Sequence, residues 1–203
     1  YEHVRVIGTV VSEPTFYPDK YDPTSGVIKV RVNDTTGELN VKLEKPVTKE
    51  VITSGMVPCV GDLIDVRGPL HVGDGWMQIT CITPEFLKIK ERDYQHMTIK
   101  QIKNSGREDL REYTLVEVTG NITDVRDLGF AVSFRLTDAW GNYVTVFVRD
   151  TIIELTSPTG KLDQVYSGVY ATVKGALVWY SRYGSSSGYW EIIPTSAETI
   201  ISH

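Results

Sequence analysis

Gly61-Asp62-Leu63-Ile64-Asp65-Val66-Arg67-Gly68 is answered 107 residues later by Gly168-Val169-Tyr170-Ala171-Thr172-Val173-Lys174-Gly175. Each stretch is a glycine, an alternating apolar run and a second glycine, the outline of a strand entered and left at special backbone positions. The match extends in both directions. Upstream, Val4-Arg5-Val6-Ile7-Gly8-Thr9-Val10 corresponds to Leu115-Val116-Glu117-Val118-Thr119-Gly120-Asn121-Ile122, and Val32-Asn33-Asp34-Thr35-Thr36-Gly37 to Leu136-Thr137-Asp138-Ala139-Trp140-Gly141. Downstream, Trp76-Met77-Gln78-Ile79 corresponds to Trp190-Glu191-Ile192-Ile193, with Pro84 or Pro194 soon after. The offsets of 112, 104, 107 and 114 residues change only between these segments, as in a duplicated domain whose loops have drifted in length.

Alternation with period two marks the strands. Ile28, Val30 and Val32 point to one side, with Lys29, Arg31 and Asn33 on the other. In the second copy Phe130, Val132, Phe134 and Leu136 alternate with Ala131, Ser133, Arg135 and Thr137. Asp34-x-x-Gly37 and Asp138-x-x-Gly141 supply tight turns, the Asp accepting backbone N–H groups and the Gly tolerating positive φ. Residues 45–58 and 150–165 separate the third and fourth strands, as a short helix or an irregular crossover; the residues leave that open. Thr98 is positioned to cap a short helix over Ile99–Lys103, ended by Asn104-Ser105-Gly106.

Five strands broken after the third, in two copies, resemble OB-fold nucleic-acid-binding modules of archaeal or bacterial single-strand-binding or nuclease-associated type. The resemblance rests on the glycine in the first strand, the Asp-x-x-Gly hairpin, the Gly-Asp-x-x-x-Val-x-Gly strand and the tryptophan strand, over residues 3–89 and 113–201. It implies an all-β chain of two tandem five-stranded Greek-key barrels with short helical connections. Residues 1–93 form the first, 94–112 a linker with a short helix, and 113–203 the second.

OB-folds bind across strands two and three and the loops beside them, which assigns candidate residues. In the first copy the outward set is Lys29, Arg31 and Lys42, with Phe16, Tyr17, Lys20 and Tyr21 in the first loop and Trp76 beside the last. In the second it is Arg135, Tyr143, Phe147 and Arg149, with Trp140 in the turn. Residues 113–203 hold 13 of the 20 aromatic residues, and Trp179, Tyr180, Arg182 and Tyr183 lead into a Ser/Gly-rich loop ahead of Tyr189 and Trp190. Rings on a flexible loop suit bases of a single strand. Trp76 and Trp190 read first as packing residues, because small barrels need large side chains for their cores.

Composition narrows the function further. With 21 Lys+Arg against 26 Asp+Glu the net charge is −5, which excludes a protein that grips nucleic acid by bulk positive charge. No apolar run reaches the ~18 residues of a membrane helix. Four scattered histidines and two cysteines 22 residues apart offer no zinc spacing, so no metal or other cofactor is expected, and a Cys59–Cys81 disulfide is not favoured. There is no P-loop and no H-E-x-x-H, and Asp62, Asp65 and Asp74 read as turn and strand-edge carboxylates, so no catalysis is expected. The chain opens at Tyr1, which reads as an excerpt or processed form. A cytoplasmic location is preferred over a cell-surface or extracellular one. The leading expectation is weakly sequence-specific binding of single-stranded DNA or RNA, two modules covering ~8–30 nucleotides. The competing one is a protein-interaction or scaffold module, or an accessory domain of a nuclease whose partner is a protein or the rest of a larger chain.

Overall fold

The computed structural model describes residues 3–157, 159–181 and 187–203. They divide into two compact units, Tyr1–Arg92 and Asp93–His203. No helix among the described residues is long and apolar enough to cross a membrane.

The first unit contains β1 (His3–Val10), β2 (Thr15–Pro18), β3 (Gly26–Asn33), β4 (Glu38–Leu43), α1 (Lys45–Thr53), β5 (Leu63–Gly73), β6 (Trp76–Cys81) and β7 (Leu87–Ile89). Strand pairing runs β1–β3–β4–β6–β5 and returns to β1, closing a ring. Only β4–β6 within that ring is parallel, a pairing that needs a crossover, here supplied by α1 and β5. β2 extends the sheet along the edge of β3 that β1 leaves uncovered.

The second unit repeats the plan. It contains β8 (Gln95–His96), α2 (Ile99–Asn104), β9 (Leu115–Asp127), β10 (Ala131–Thr137), β11 (Tyr143–Arg149), α3 (Asp150–Thr156), β12 (Tyr170–Ser181), β13 (Gly188–Pro194) and β14 (Ile200–Ser202). Its ring is β9–β10–β11–β13–β12 and back to β9, with β11–β13 parallel. Each unit is therefore an OB-fold barrel with a helix between its third and fourth barrel strands, which decides the crossovers in favour of helices.

The glycine-bounded repeat has a mechanical explanation. Gly61 and Gly168 sit at φ 90° and 91°, where a side chain would be strained, and each turns the chain into the fourth barrel strand. Gly68 and Gly175 serve the other end: a Cβ on Gly68 would collide with the carbonyl of Thr80, and one on Gly175 with that of Ile193. Neighbouring strands approach closely there, at the barrel's bend. The cores follow the alternation, with Ile28, Val32, Val41, Leu43, Ile64, Val66 and Ile79 buried in the first barrel and Val116, Val118, Phe134, Leu136, Val146, Leu177 and Ile192 in the second.

Three features depart from simple alternation. Phe130, expected among the inward residues of its strand, is exposed and immediately precedes β10, which begins at Ala131. The register of β9 against β10 shifts between Ser133 and Arg135, a bulge that coincides with Asp124 at φ 51°. Residues 95–106 pack into the second unit. β8 pairs β9, and α2 is capped reciprocally by Thr98 and Gln101 and buries Ile99 and Ile102. The buried Trp190 indole donates to the carbonyls of Ser105 (3.2 Å) and Gly106 (3.3 Å), fastening the end of α2.

Candidate nucleic-acid interface

The second barrel gathers aromatic side chains on the outer face of β11, β13 and β12. Because β11 and β13 run parallel with Thr145 opposite Glu191, Tyr143 lies level with Tyr189, and Tyr189 is directly opposite Tyr180 on β12. The three tyrosines form one row across adjacent strands, each between 38% and 49% exposed. The Tyr180 and Tyr189 rings are 5.3 Å apart and tilted by 50°. Two cations lie over Tyr143: the Arg135 guanidinium at 4.1 Å from the ring centre and the Lys103 ammonium at 4.5 Å. Burial, with the charge and hydrogen bond of the Glu191 carboxylate, pushes the Tyr189 hydroxyl up to about 12, so it stays a neutral donor.

Phe147 and Arg149 sit further along the same face of β11. Phe147 is half-buried, 6.3 Å from Phe130, with the Arg149 guanidinium 6.0 Å from its ring. Trp140 projects from the β10–β11 turn, 83% exposed. The turn itself is held by Asp138, whose carboxylate accepts from the backbone N–H groups of Trp140 and Asn142, both at 2.9 Å. Trp179 is separated from Tyr180: it faces the other side of β12 and meets the buried Trp190 edge-on at 5.2 Å. Arg182 and Tyr183 lie outside the described residues. The run Gly184-Ser185-Ser186-Ser187-Gly188 that follows spells G-x-S-x-G, and its residues 184–186 also lie outside the described residues.

In the first barrel Lys29 and Lys42 are directly opposite each other on β3 and β4, and Arg31 is opposite Asn40. Each cation already has a partner. Lys42 pairs with Glu44 at 2.5 Å, Arg31 with Glu38 at 3.1 Å, and Lys29 lies over the Tyr17 ring at 5.4 Å. Trp76 is 48% exposed and is not the core residue its place on the closing strand predicts. Its indole lies over Gly73, where a Cβ would strike the ring. It forms one wall of a groove of about 420 Å³ with Arg31, Leu39, Val72 and Met77.

Charge is therefore rationed on both faces. Arg135 is shared between the Tyr143 ring and Asp124 (3.3 Å), the bulge residue that also holds Arg126 at 2.9 Å. Rings, more than free cations, are what these surfaces offer. Lys103 belongs to residues 94–112, which read in sequence as a linker, and Tyr189 shares a face with Tyr180 in any hairpin that pairs Trp179 with Trp190.

No family model and no curated protein sequence matches the chain. Among solved structures it is similar to the wild-type single-stranded DNA-binding protein from Thermus aquaticus, with 17% identity over 95% of this chain and 89% of that one and a TM-score of 0.31. It is similar also to a murine DNA-binding protein bound with double-stranded DNA (11% identity, 98% and 97% covered, TM-score 0.34). A third is OBody NL8 bound to hen egg-white lysozyme (18% identity, 44% and 92% covered, TM-score 0.33). The barrel assignment stands on strand order alone.

Proposed function

We propose that this chain binds single-stranded DNA or RNA with little sequence preference and without catalysis. In this reading bases stack on Tyr143, Tyr189, Tyr180 and Trp140 of the second barrel, and Arg135, Lys103 and Arg149 meet the phosphates. Lys29, Arg31 and Lys42, beside Trp76, offer a second, more polar contact in the first barrel. The observation that carries the proposal is the row of three half-exposed tyrosines with two cations over the first ring. Every base has a π-face, so stacking contributes ~1–3 kcal/mol per base whatever the sequence, and it does not require a basic protein.

Titration with oligo-dT and oligo-U at low and moderate salt, followed by tryptophan fluorescence, tests this. Trp140 and Trp76 are exposed enough to report. Saturable quenching that weakens with salt and falls in Tyr180→Ala and Tyr189→Ala variants supports the reading; absence of quenching at micromolar protein and low salt overturns it.

A second reading, a protein-interaction or scaffold module, draws on the first barrel. There Arg31 and Lys42 are neutralised by glutamates, and the exposed Val72, Trp76 and Met77 line a groove together with the Arg31–Glu38 pair and Asn40. It predicts quenching by a protein partner and none by oligonucleotides.

A further inference from the structure

One face of the first barrel departs from the rule that its cations are matched. Among the described residues of that unit, Arg5, Arg31, Lys42, Lys45, Lys49 and Arg92 each contact a carboxylate, and Lys20 and Lys29 each lie over a tyrosine ring. Arg67, Lys88 and Lys90 make no such contact, and all three are exposed. They are also neighbours. β1, β5 and β7 are adjacent, with Arg5 directly opposite Arg67, Asp65 opposite Lys88, and the Lys90 amide bonded to the Leu63 carbonyl.

Two guanidinium groups directly opposite each other on paired strands repel. Asp65 moderates the repulsion from beneath: it is buried, and its two carboxylate oxygens are both taken by Arg5, at 2.9 and 2.7 Å. Arg67 and Lys90 add to the field that holds its carboxyl down, without contacting it. Two cavities open on this face, of about 430 and 110 Å³, and they share Arg67 and Phe86. The surface thus carries four cations against Asp65 and Glu85, an excess of positive charge on a chain whose net charge is −5. It lies on β1, β5 and β7, away from the β3–β4 face that holds Lys29, Arg31 and Lys42.

From this we infer that the β1–β5–β7 face of the first barrel is a phosphate-binding surface that takes the backbone of a nucleic-acid strand, with Arg67, Lys88 and Lys90 as the contacting groups. Arg67 is the group suited to fork onto phosphate oxygens, with the two lysines as point charges beside it. Phe86 lines both cavities, but the three cations set the contribution inferred for this face, which is electrostatic and independent of base sequence. The ligand class rests on the nucleic-acid reading above; the residues do not.

The experiment compares oligo-dT affinity across a salt series for the parent chain, an Arg67→Gln/Lys88→Gln/Lys90→Gln variant and a Tyr143→Ala/Tyr180→Ala/Tyr189→Ala variant. Arg5 is left in place, so Asp65 keeps its partner; circular dichroism and thermal melting establish that each variant folds. Every phosphate that is no longer neutralised lowers the slope of log K against log salt by about 0.7, so the cationic variant should lose about 2 in slope. The tyrosine variant should keep the parent slope at lower affinity. A parent slope retained in the cationic variant overturns the inference, even where the tyrosine variant loses binding and the stacking reading stands. A slope that drops in the cationic variant while the tyrosine variant binds like the parent supports the inference and removes the stacking reading instead. Binding of a poly-glutamate peptide, but not oligo-dT, that disappears in the cationic variant assigns the face to an acidic protein partner and overturns the inference.

Discussion

Tyr180 and Tyr189 occupy directly opposed positions on β12 and β13, with ring centres 5.3 Å apart and nearly half of each residue exposed. Neither is needed to fill the core, which Trp190 and Leu177 supply from the other side of the same strands. The Tyr180→Ala/Tyr189→Ala variant should therefore melt within a few degrees of the parent while losing about 1–3 kcal/mol of oligo-dT affinity for each stacked base. Fluorescence titration and thermal melting on the same samples check both halves, and a variant that binds like the parent rules out stacking at this pair.

The first barrel depends on a different kind of pair. Arg92 closes a bidentate ion pair with Asp62 at 2.7 and 2.8 Å and donates to the carbonyl of Val57, while Asp62 also accepts from the backbone of Cys59. The Asp62 side chain is fully buried. What reads in sequence as a solvated turn carboxylate is the anchor for the last residue of the unit. Arg92→Ala strands that carboxylate without its counter-charge, a change expected to cost about 3–5 kcal/mol. Urea unfolding followed by circular dichroism should show the midpoint of the first unit falling; an unchanged midpoint would mean that water replaces the guanidinium at little cost.

Asp65 predicts a pH dependence. Hydrogen bonding from Arg5, and then its charge, hold the Asp65 carboxyl below the ordinary carboxylate range despite burial. The folded form binds this proton less tightly than the unfolded form, so the stabilisation is complete above the unfolded value near 4 and is lost as pH falls through the lower folded value. The stability difference between the parent and Asp65→Asn should be constant from pH 7 to about pH 5 and shrink below about pH 4. Melting temperatures measured across that range test it; a difference that stays constant into acid would place the Asp65 effect in packing.

Tyr189 predicts the opposite end of the scale. Its hydroxyl is raised to about 12 by burial and then by Glu191, so an unfolded chain would lose this proton first. Tyr189 thus contributes nothing to pH dependence below about pH 10 and opposes folding above it. Near-ultraviolet titration of phenolate should show one late-ionising tyrosine that disappears in Tyr189→Phe and moves down in Glu191→Gln. A parent and Tyr189→Phe pair with superimposable late phases would exclude this assignment.

The Trp190 contacts to Ser105 and Gly106 bear on where the second domain begins. Removing residues 93–112 would uncover the core beneath Ile99 and Ile102, each worth about 1.5–3 kcal/mol when buried. A fragment covering 93–203 should melt cooperatively, and one covering 113–203 should melt at a much lower temperature or not fold. Equal melting of the two fragments would mean that residues 93–112 add nothing to the stability of the second barrel.

Much of the fold was legible because local chemistry and global architecture coincide. Gly61 and Gly168 require positive φ, Gly68 and Gly175 require a missing Cβ, and Asp34 and Asp138 organise turns through their own neighbours; each leaves its mark within a few residues. Repetition of that series in order was enough to specify two five-stranded barrels and to place Lys29, Arg31, Lys42, Arg135, Tyr143 and Phe147 on outward faces, since side chains alternate along any strand.

The rest depends on which distant residues meet. That Lys103 lies over Tyr143, that Asp124 neutralises Arg135, and that Asp62 waits for Arg92 thirty residues later are facts of strand register and helix docking. Nothing within the local sequence encodes them. The same holds for Trp76 and Trp190, equivalent letters in the two copies: one lies over a glycine at a groove, the other under α2, whose end its indole fastens. Alternation decides the side of a strand a residue takes, and only the closed barrel decides what covers that side.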